Sequence, residues 1–219
     1  MSGAPEWITF DCYGTLIQWE AGIRGALAAF VPEERLDAAL ADYVRLEALV
    51  EAGPYRSYRL VLRETLAALA TRHGFRVPAA SRDALAESLP TWKPYPEVAR
   101  CLTLLKDRAK LAILSNVDDD LLAETRRSFP VSFDEIVTAE AVRSYKPAPA
   151  HFQEALRRTR ALPHEVLHVA QSRMHDVEPA QTLGFRTAWV RRKTLLDAGT
   201  GMADRVVWDL DELLRWLGW

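Results

Sequence analysis

The sequence predicts an α/β fold, a doubly wound parallel sheet carrying an inserted helical domain, on three observations. From residue 97 onward, short apolar runs alternate with helical patterns, as expected of a parallel sheet covered on both faces. One further apolar run, Trp7-Ile8-Thr9-Phe10, stands alone near the start. Between the two lies a stretch, residues 17–92, whose periodic segments are all helical.

Taken in order, Trp7 to Phe10 forms the first strand, which delivers Asp11 to its carboxyl end and breaks at Gly14. Ligands of open α/β sheets bind at that end, so Asp11 is the candidate nucleophile. Its plainer role would be to cap the following turn. Helical spacing then predicts helices over 21–30, 35–51, 58–72 and 81–89, broken at Gly53-Pro54, His73-Gly74 and Val77-Pro78. Trp92-Lys93-Pro94-Tyr95-Pro96 closes this block. The chain accordingly divides into a core of 1–16 plus 93–219 and a helical domain of 17–92. In the core, helices are expected over 98–108, 119–128, 149–160, 176–183 and 210–217. Strands are expected over 110–114, 135–138, 166–170 and 187–190, with an edge strand over 204–208.

A chain of 219 residues, 49% hydrophobic, is long enough to bury a sizeable core. Net charge is −2 with acidic and basic residues interspersed, which argues against a nucleic-acid stripe or a polybasic membrane patch. Cys12 and Cys101 are the only cysteines, too few and too far apart for a disulfide framework or a zinc site. The first strand leaves no room for a signal peptide and no apolar run could span a bilayer, so a cytoplasmic protein is expected. Oligomeric state stays open; an apolar surface on the helical domain is compatible with a homodimer. His73, His151 and His164 read as surface positions, His168 as a packing residue in a strand, and Arg191-Arg192-Lys193 as a solvated charge run.

Phe10-Asp11-Cys12-Tyr13-Gly14-Thr15-Leu16 resembles the first motif of the haloacid dehalogenase superfamily, whose catalytic aspartate attacks substrate and is covalently modified. Leu114-Ser115-Asn116 is similar to its second motif and Tyr145-Lys146-Pro147-Ala148-Pro149 to its third. The stretch from Val169 to Asp176 occupies the place of the fourth. A strand, a helical insertion and then the remaining strands is also that superfamily's layout, so the resemblance spans nearly the whole chain. It implies that residues 17–92 form a cap that excludes water from the chemistry.

Two departures bear on the reaction. Phosphatases of the superfamily carry a second aspartate two residues after the nucleophile to protonate a leaving alkoxide; here it is Tyr13. Halide leaves without a proton, so displacement at carbon can dispense with that acid. Aligned on Asp176, the phosphatases' direct magnesium ligand is replaced by Gln171, a neutral amide and a poor ligand for a hard cation. Both departures point to the 2-haloacid dehalogenase branch. That branch differs here too: its fourth-motif serine and asparagine correspond to Gln171 and Arg173, and a tyrosine six residues beyond the lysine corresponds to Phe152.

The expectation is thus a metal-independent hydrolase, without a cofactor, acting on a small anionic 2-halo acid. Asp11, Lys146 and Asp176 are its catalytic residues. Cys12, Tyr13, Thr15, Ser115, Asn116 and Gln171 are expected at the substrate, together with a cap arginine for which Arg45, Arg56 and Arg59 are candidates. Lys146 is expected to keep Asp11 ionised. The alternatives are a magnesium-dependent phosphatase of the same superfamily and a non-catalytic protein that kept the fold for binding.

Overall fold

The computed structural model describes residues 4–192 and 202–219. Strand β1 (Trp7–Phe10) is buried along its whole length, which is why it reads as an unbroken apolar run. After it come α1 (Trp19–Leu27), α2 (Leu36–Glu51), α3 (Tyr58–His73) and the short α4 (Ala84–Ser88), the last flanked by 3₁₀ turns. The alternating region then supplies α5 (Val98–Lys106), β2 (Lys110–Ser115), α6 (Asp119–Arg126), β3 (Glu135–Thr138), α7 (Ala139–Val142) and α8 (Ala150–Thr159). It ends with β4 (Val166–Ala170), α9 (Glu178–Thr182), β5 (Arg186–Val190), β6 (Arg205–Val207) and α10 (Leu210–Leu217).

The six strands form one parallel sheet in the order β3-β2-β1-β4-β5-β6. Strand order reverses on either side of β1, so the carboxyl end of β1, where Asp11 stands, is the topological switch point. The sheet's two faces carry different packing. One joins the helices of residues 17–92 to α5, α6 and α10 in a large apolar cluster; the other packs Phe152, Ala155, Ala180 and Phe185 onto β2 and β4. The two chain crossings beside the helical block are stitched together: Gln18 N–H donates to Lys93 O and Tyr95 N–H to Leu16 O.

The element expectations hold to within a few residues, with two differences of physical interest. The helix expected to start at Asp176 is preceded by a π-helical turn, Arg173–Val177, capped where Ser172 Oγ accepts from the His175 N–H at 3.1 Å. Such turns insert an extra residue and re-aim side chains. Pro179 then fits the first turn of α9, where its missing N–H leaves nothing unsatisfied. Helix α7 was not expected; it is one turn long and capped by the Thr138 hydroxyl. Among the described residues no helix is long and apolar enough to cross a membrane.

Candidate active site

The carboxyl ends of β1, β2 and β4, the loop before α8 and the inner faces of α1 and α2 enclose a cavity of about 170 Å³. Asp11, Lys146 and Asp176 meet on its sheet side. Lys146, itself buried, donates from Nζ to Asp11 Oδ1 (3.0 Å), Asp176 Oδ1 (2.6 Å) and Leu114 O (2.8 Å), using all three ammonium protons. Its backbone is pinned by Asn116, whose Oδ1 accepts from Lys146 N–H (2.7 Å) and whose Nδ2 donates to Lys146 O (3.0 Å).

One lysine shared by two carboxylates leaves them unequal. Burial would raise Asp176, but the Lys146 ammonium and the His168 bond together outweigh it and hold its carboxyl well below the ordinary aspartate value. Burial also raises Asp11, and there it prevails over Lys146 and the Thr15 hydroxyl, with the Asp176 charge adding to the rise. Lys146 acts on Asp11 in the expected direction, lowering the carboxyl's pKa, and burial sets the net direction upward. Lys146 stays charged because its two carboxylates outweigh the same burial.

The remaining expected residues divide into those that face the cavity and those that do not. Tyr13, Ser115, Asn116 and Gln171 line it. Ser115 is fully buried and its Oγ has no hydrogen-bond partner, an acceptor and donor held ready for a ligand. Tyr13 O–H bonds Thr125 Oγ1 at 2.8 Å and its ring meets Trp92 edge-on. Gly14 has φ +99°, and a Cβ there would stand 2.8 Å from the Trp19 ring and 3.0 Å from Gln171 Oε1, so only glycine leaves room for both.

Thr15 lies behind Asp11 rather than in the cavity, donating to Asp11 Oδ2 at 2.7 Å and accepting from Gln171 N–H at 2.9 Å. The Cys12 side chain is packed into the apolar cluster, so only its backbone is near the site. Arg45 is a clear correction. Val44, Glu47 and Glu51 share the face of α2 that lines the cavity, and helical geometry turns Arg45 away, with its side chain 75% exposed beside Asp42. Arg56 pairs with Glu64 and Arg59 with Asp120. Among the described residues no arginine lines the cavity.

Several residues read as bland turn out to be structural parts of the site. His168, in β4 and in register with Thr9 of β1, shares a bond with Thr9 Oγ1 through Nδ1 (2.8 Å) and donates from Nε2 to Asp176 Oδ1 (3.1 Å). A polar pair at matching offsets in two adjacent core strands was the signal for it. Phe152 does not reach the cavity; it packs edge-on against His168 at 5.2 Å. His151 is buried, not surface; burial pushes its imidazole down to about 3, with Nε2 near Ser115 O at 3.2 Å. His73 is half-buried beside Asp42, and His164 is exposed. Arg192 is buried, paired with Glu97 (2.6 Å) and bonded to Thr15 O (2.8 Å), so the charge run is not all solvated; Lys193 lies outside the described residues. His175 lines the cavity, its imidazole kept neutral by burial.

The parallel sheet with its flanking helices agrees with a family assignment from sequence. A family model described as a haloacid dehalogenase-like hydrolase matches residues 5–184, and the chain belongs to that family. Among curated relatives, (S)-2-haloacid dehalogenase 2 of Pseudomonas sp. (strain CBS-3) is 27% identical over 216 residues, covering 94% of this chain and 93% of its own. The (S)-2-haloacid dehalogenase of Xanthobacter autotrophicus is 30% identical over 192 residues, covering 84% and 74%. The fold matches the structure of L-2-haloacid dehalogenase from Xanthobacter autotrophicus with chloropropionic acid covalently bound, with a TM-score of 0.86, 23% identity and 98% of both chains covered.

Proposed function

We propose that this hydrolase removes halide from a small 2-halo carboxylic acid through an ester on Asp11. The observation that carries the reading is a strand-end carboxylate facing a cavity beneath the helices of residues 17–92, with Lys146 bonded to it and an aromatic residue, Tyr13, where an acid for an alkoxide leaving group would stand. An Asp11 carboxylate oxygen attacks carbon 2; the carbon–halogen bond breaks and halide leaves with the electron pair. Ser115 Oγ and the Asn116 amide hold the substrate carboxylate, while Tyr13, Trp19 and Trp92 receive the halogen and alkyl group.

Water then adds to the Asp11 carbonyl carbon, and the bond from that carbon to the ester oxygen breaks. This releases a 2-hydroxy acid and regenerates Asp11. One water proton goes to the departing hydroxyl oxygen and the other leaves through the neutral His175 imidazole. Asp176 Oδ1 is taken by Lys146 and His168, leaving Oδ2 to orient the water. Residues 17–92 act as the cap that shuts solvent from these steps.

Magnesium fits this site poorly. The ion needs hard oxygen ligands, whereas residue 171 offers a neutral amide and one oxygen of Asp176 is already committed to Lys146 and His168. No step is routed through a metal. Cys12 and Cys101, both free and buried, suit a reducing cytoplasm.

Purified protein incubated with 2-chloropropionate, and separately with a generic phosphate ester, tests the reading. Halide release that persists with chelator is expected. Magnesium-dependent phosphate release without halide would overturn it.

A further inference from the structure

The cavity wall formed by α2 has a charge that the sheet side does not offset. Glu47 and Glu51 sit four residues apart on one helix face, where like charges repel, and both line the cavity. Glu47 is held by two phenols that donate to the same oxygen, Tyr43 O–H at 2.6 Å and Tyr58 O–H at 2.8 Å. Two donors on Oε1 fix it as an acceptor and leave Oε2 free. Among the described residues no hydrogen bond or ion pair is formed by Glu51, and burial, with the Glu47 charge beside it, raises its carboxyl well above the ordinary value.

The cation facing the pair from the sheet side, Lys146, lowers the Glu51 carboxyl but does not outweigh burial and the Glu47 charge. Among the described residues Lys146 is the one lysine or arginine lining the cavity, and its three protons are spent on Asp11, Asp176 and Leu114 O. His175 is neutral. In the same cavity the fully buried Ser115 Oγ has no partner, so the space has an unmet polar contact on its sheet side as well as on its α2 side.

We infer that the substrate carries, at the end away from its reacting carbon, a cationic or strongly hydrogen-donating group, an ammonium above all, received by Glu47 and Glu51. This rests on the proposed chemistry at Asp11 for where the reacting carbon lies. The carboxylate pair is then a specificity device: an ammonium supplies the missing donors and removes the repulsion, whereas a plain short-chain acid leaves both in place. The apolar span between, built from Ile23, Val44 and Trp92, suits the carbon chain that joins the two ends.

Unreactive probes separate this inference from the reaction itself. Calorimetric titration of the wild-type protein with 4-aminobutanoate and with butanoate should show the amino acid binding at least about tenfold more tightly, the scale of a charge-assisted hydrogen bond. Glu51→Gln, which breaks no hydrogen bond, and Glu47→Gln should each shrink that preference. Equal or tighter binding of butanoate, binding of neither probe, or a preference that survives in Glu51→Gln would overturn the inference. Halide release from 2-chloropropionate and from 4-amino-2-chlorobutanoate is measured in parallel. Halide release with no preference for the amine sinks the ammonium subsite alone, and amine preference with no halide release from either 2-chloropropionate or 4-amino-2-chlorobutanoate sinks the dehalogenation reading alone.

Discussion

The two sides of the cavity hold carboxylates in opposite conditions. On the sheet side, Asp11 and Asp176 share a buried lysine, and Asp176 has a histidine as well. On the helical side, among the described residues, Glu47 is bonded by neutral phenols alone and Glu51 has no hydrogen-bond or ion-pair partner. Burial raises a carboxyl unless a fixed cation answers it. Asp176 is therefore the one held low, Asp11 is intermediate, and Glu51 is left high. A sheet-side pair of carboxylates held in place by a shared lysine is suited to chemistry that must reset after every turnover. A charge on α2 that is not balanced is suited to being balanced by something that arrives and leaves.

Removing the lysine breaks the comparison most severely. Lys146→Met leaves two buried carboxylates without a counter-ion, and loss of about 3–5 kcal/mol of stability is expected by denaturant titration. Little loss would mean that the carboxylates are not held as described.

Asp11→Asn should act in the other direction on stability while reducing halide release by at least about 10⁴-fold. A buried carboxyl whose pKa is raised opposes folding when ionised, so the variant should unfold no earlier than wild type and slightly later at neutral pH. The pH dependence fixes the sign. Asp176, depressed from 3.8, contributes stability that is present above that value and lost as pH falls through its lower folded value. Asp11 does the reverse: ionised at a raised pKa, it withdraws stability as pH climbs from 3.8 through that value. The stability difference between Asp11→Asn and wild type should thus widen with rising pH and then level off. For the same reason the acid limb of kcat/KM should lie above 3.8, the ordinary aspartate value.

The smallest expected effect sharpens the helical side. Glu51→Gln relieves an i,i+4 repulsion, and thermal unfolding should show a gain of about 0.2–0.5 kcal/mol. A loss would indicate a partner for Glu51 that the arrangement does not contain.

The sheet was legible because each buried strand is a short apolar run between helical patterns, and the switch point followed from where Asp11 falls in β1. Lys146 and Asp176 were legible for a different reason, the family resemblance of their local motifs. The α2 wall was not. Whether residue 45 or residue 47 of a helix points inward depends on the rotation of the helix about its own axis, and spacing selected none of Arg45, Arg56 and Arg59 and gave no sign of Glu47. His168 escaped for a similar cause. A histidine in an apolar strand reads as packing until strand register sets it beside Thr9 and beneath Asp176.

The central claim is that Asp11 itself carries the substrate. A single turnover of 2-chloropropionate in oxygen-18 water, with enzyme in excess, followed by mass spectrometry of the peptide containing Asp11, tests it most directly. Attack of water on the aspartyl ester predicts heavy oxygen in the Asp11 carboxylate and none in the first product released. Heavy oxygen in the product hydroxyl, with Asp11 unlabelled, would mean that water attacks the substrate directly and that Asp11 is not the nucleophile.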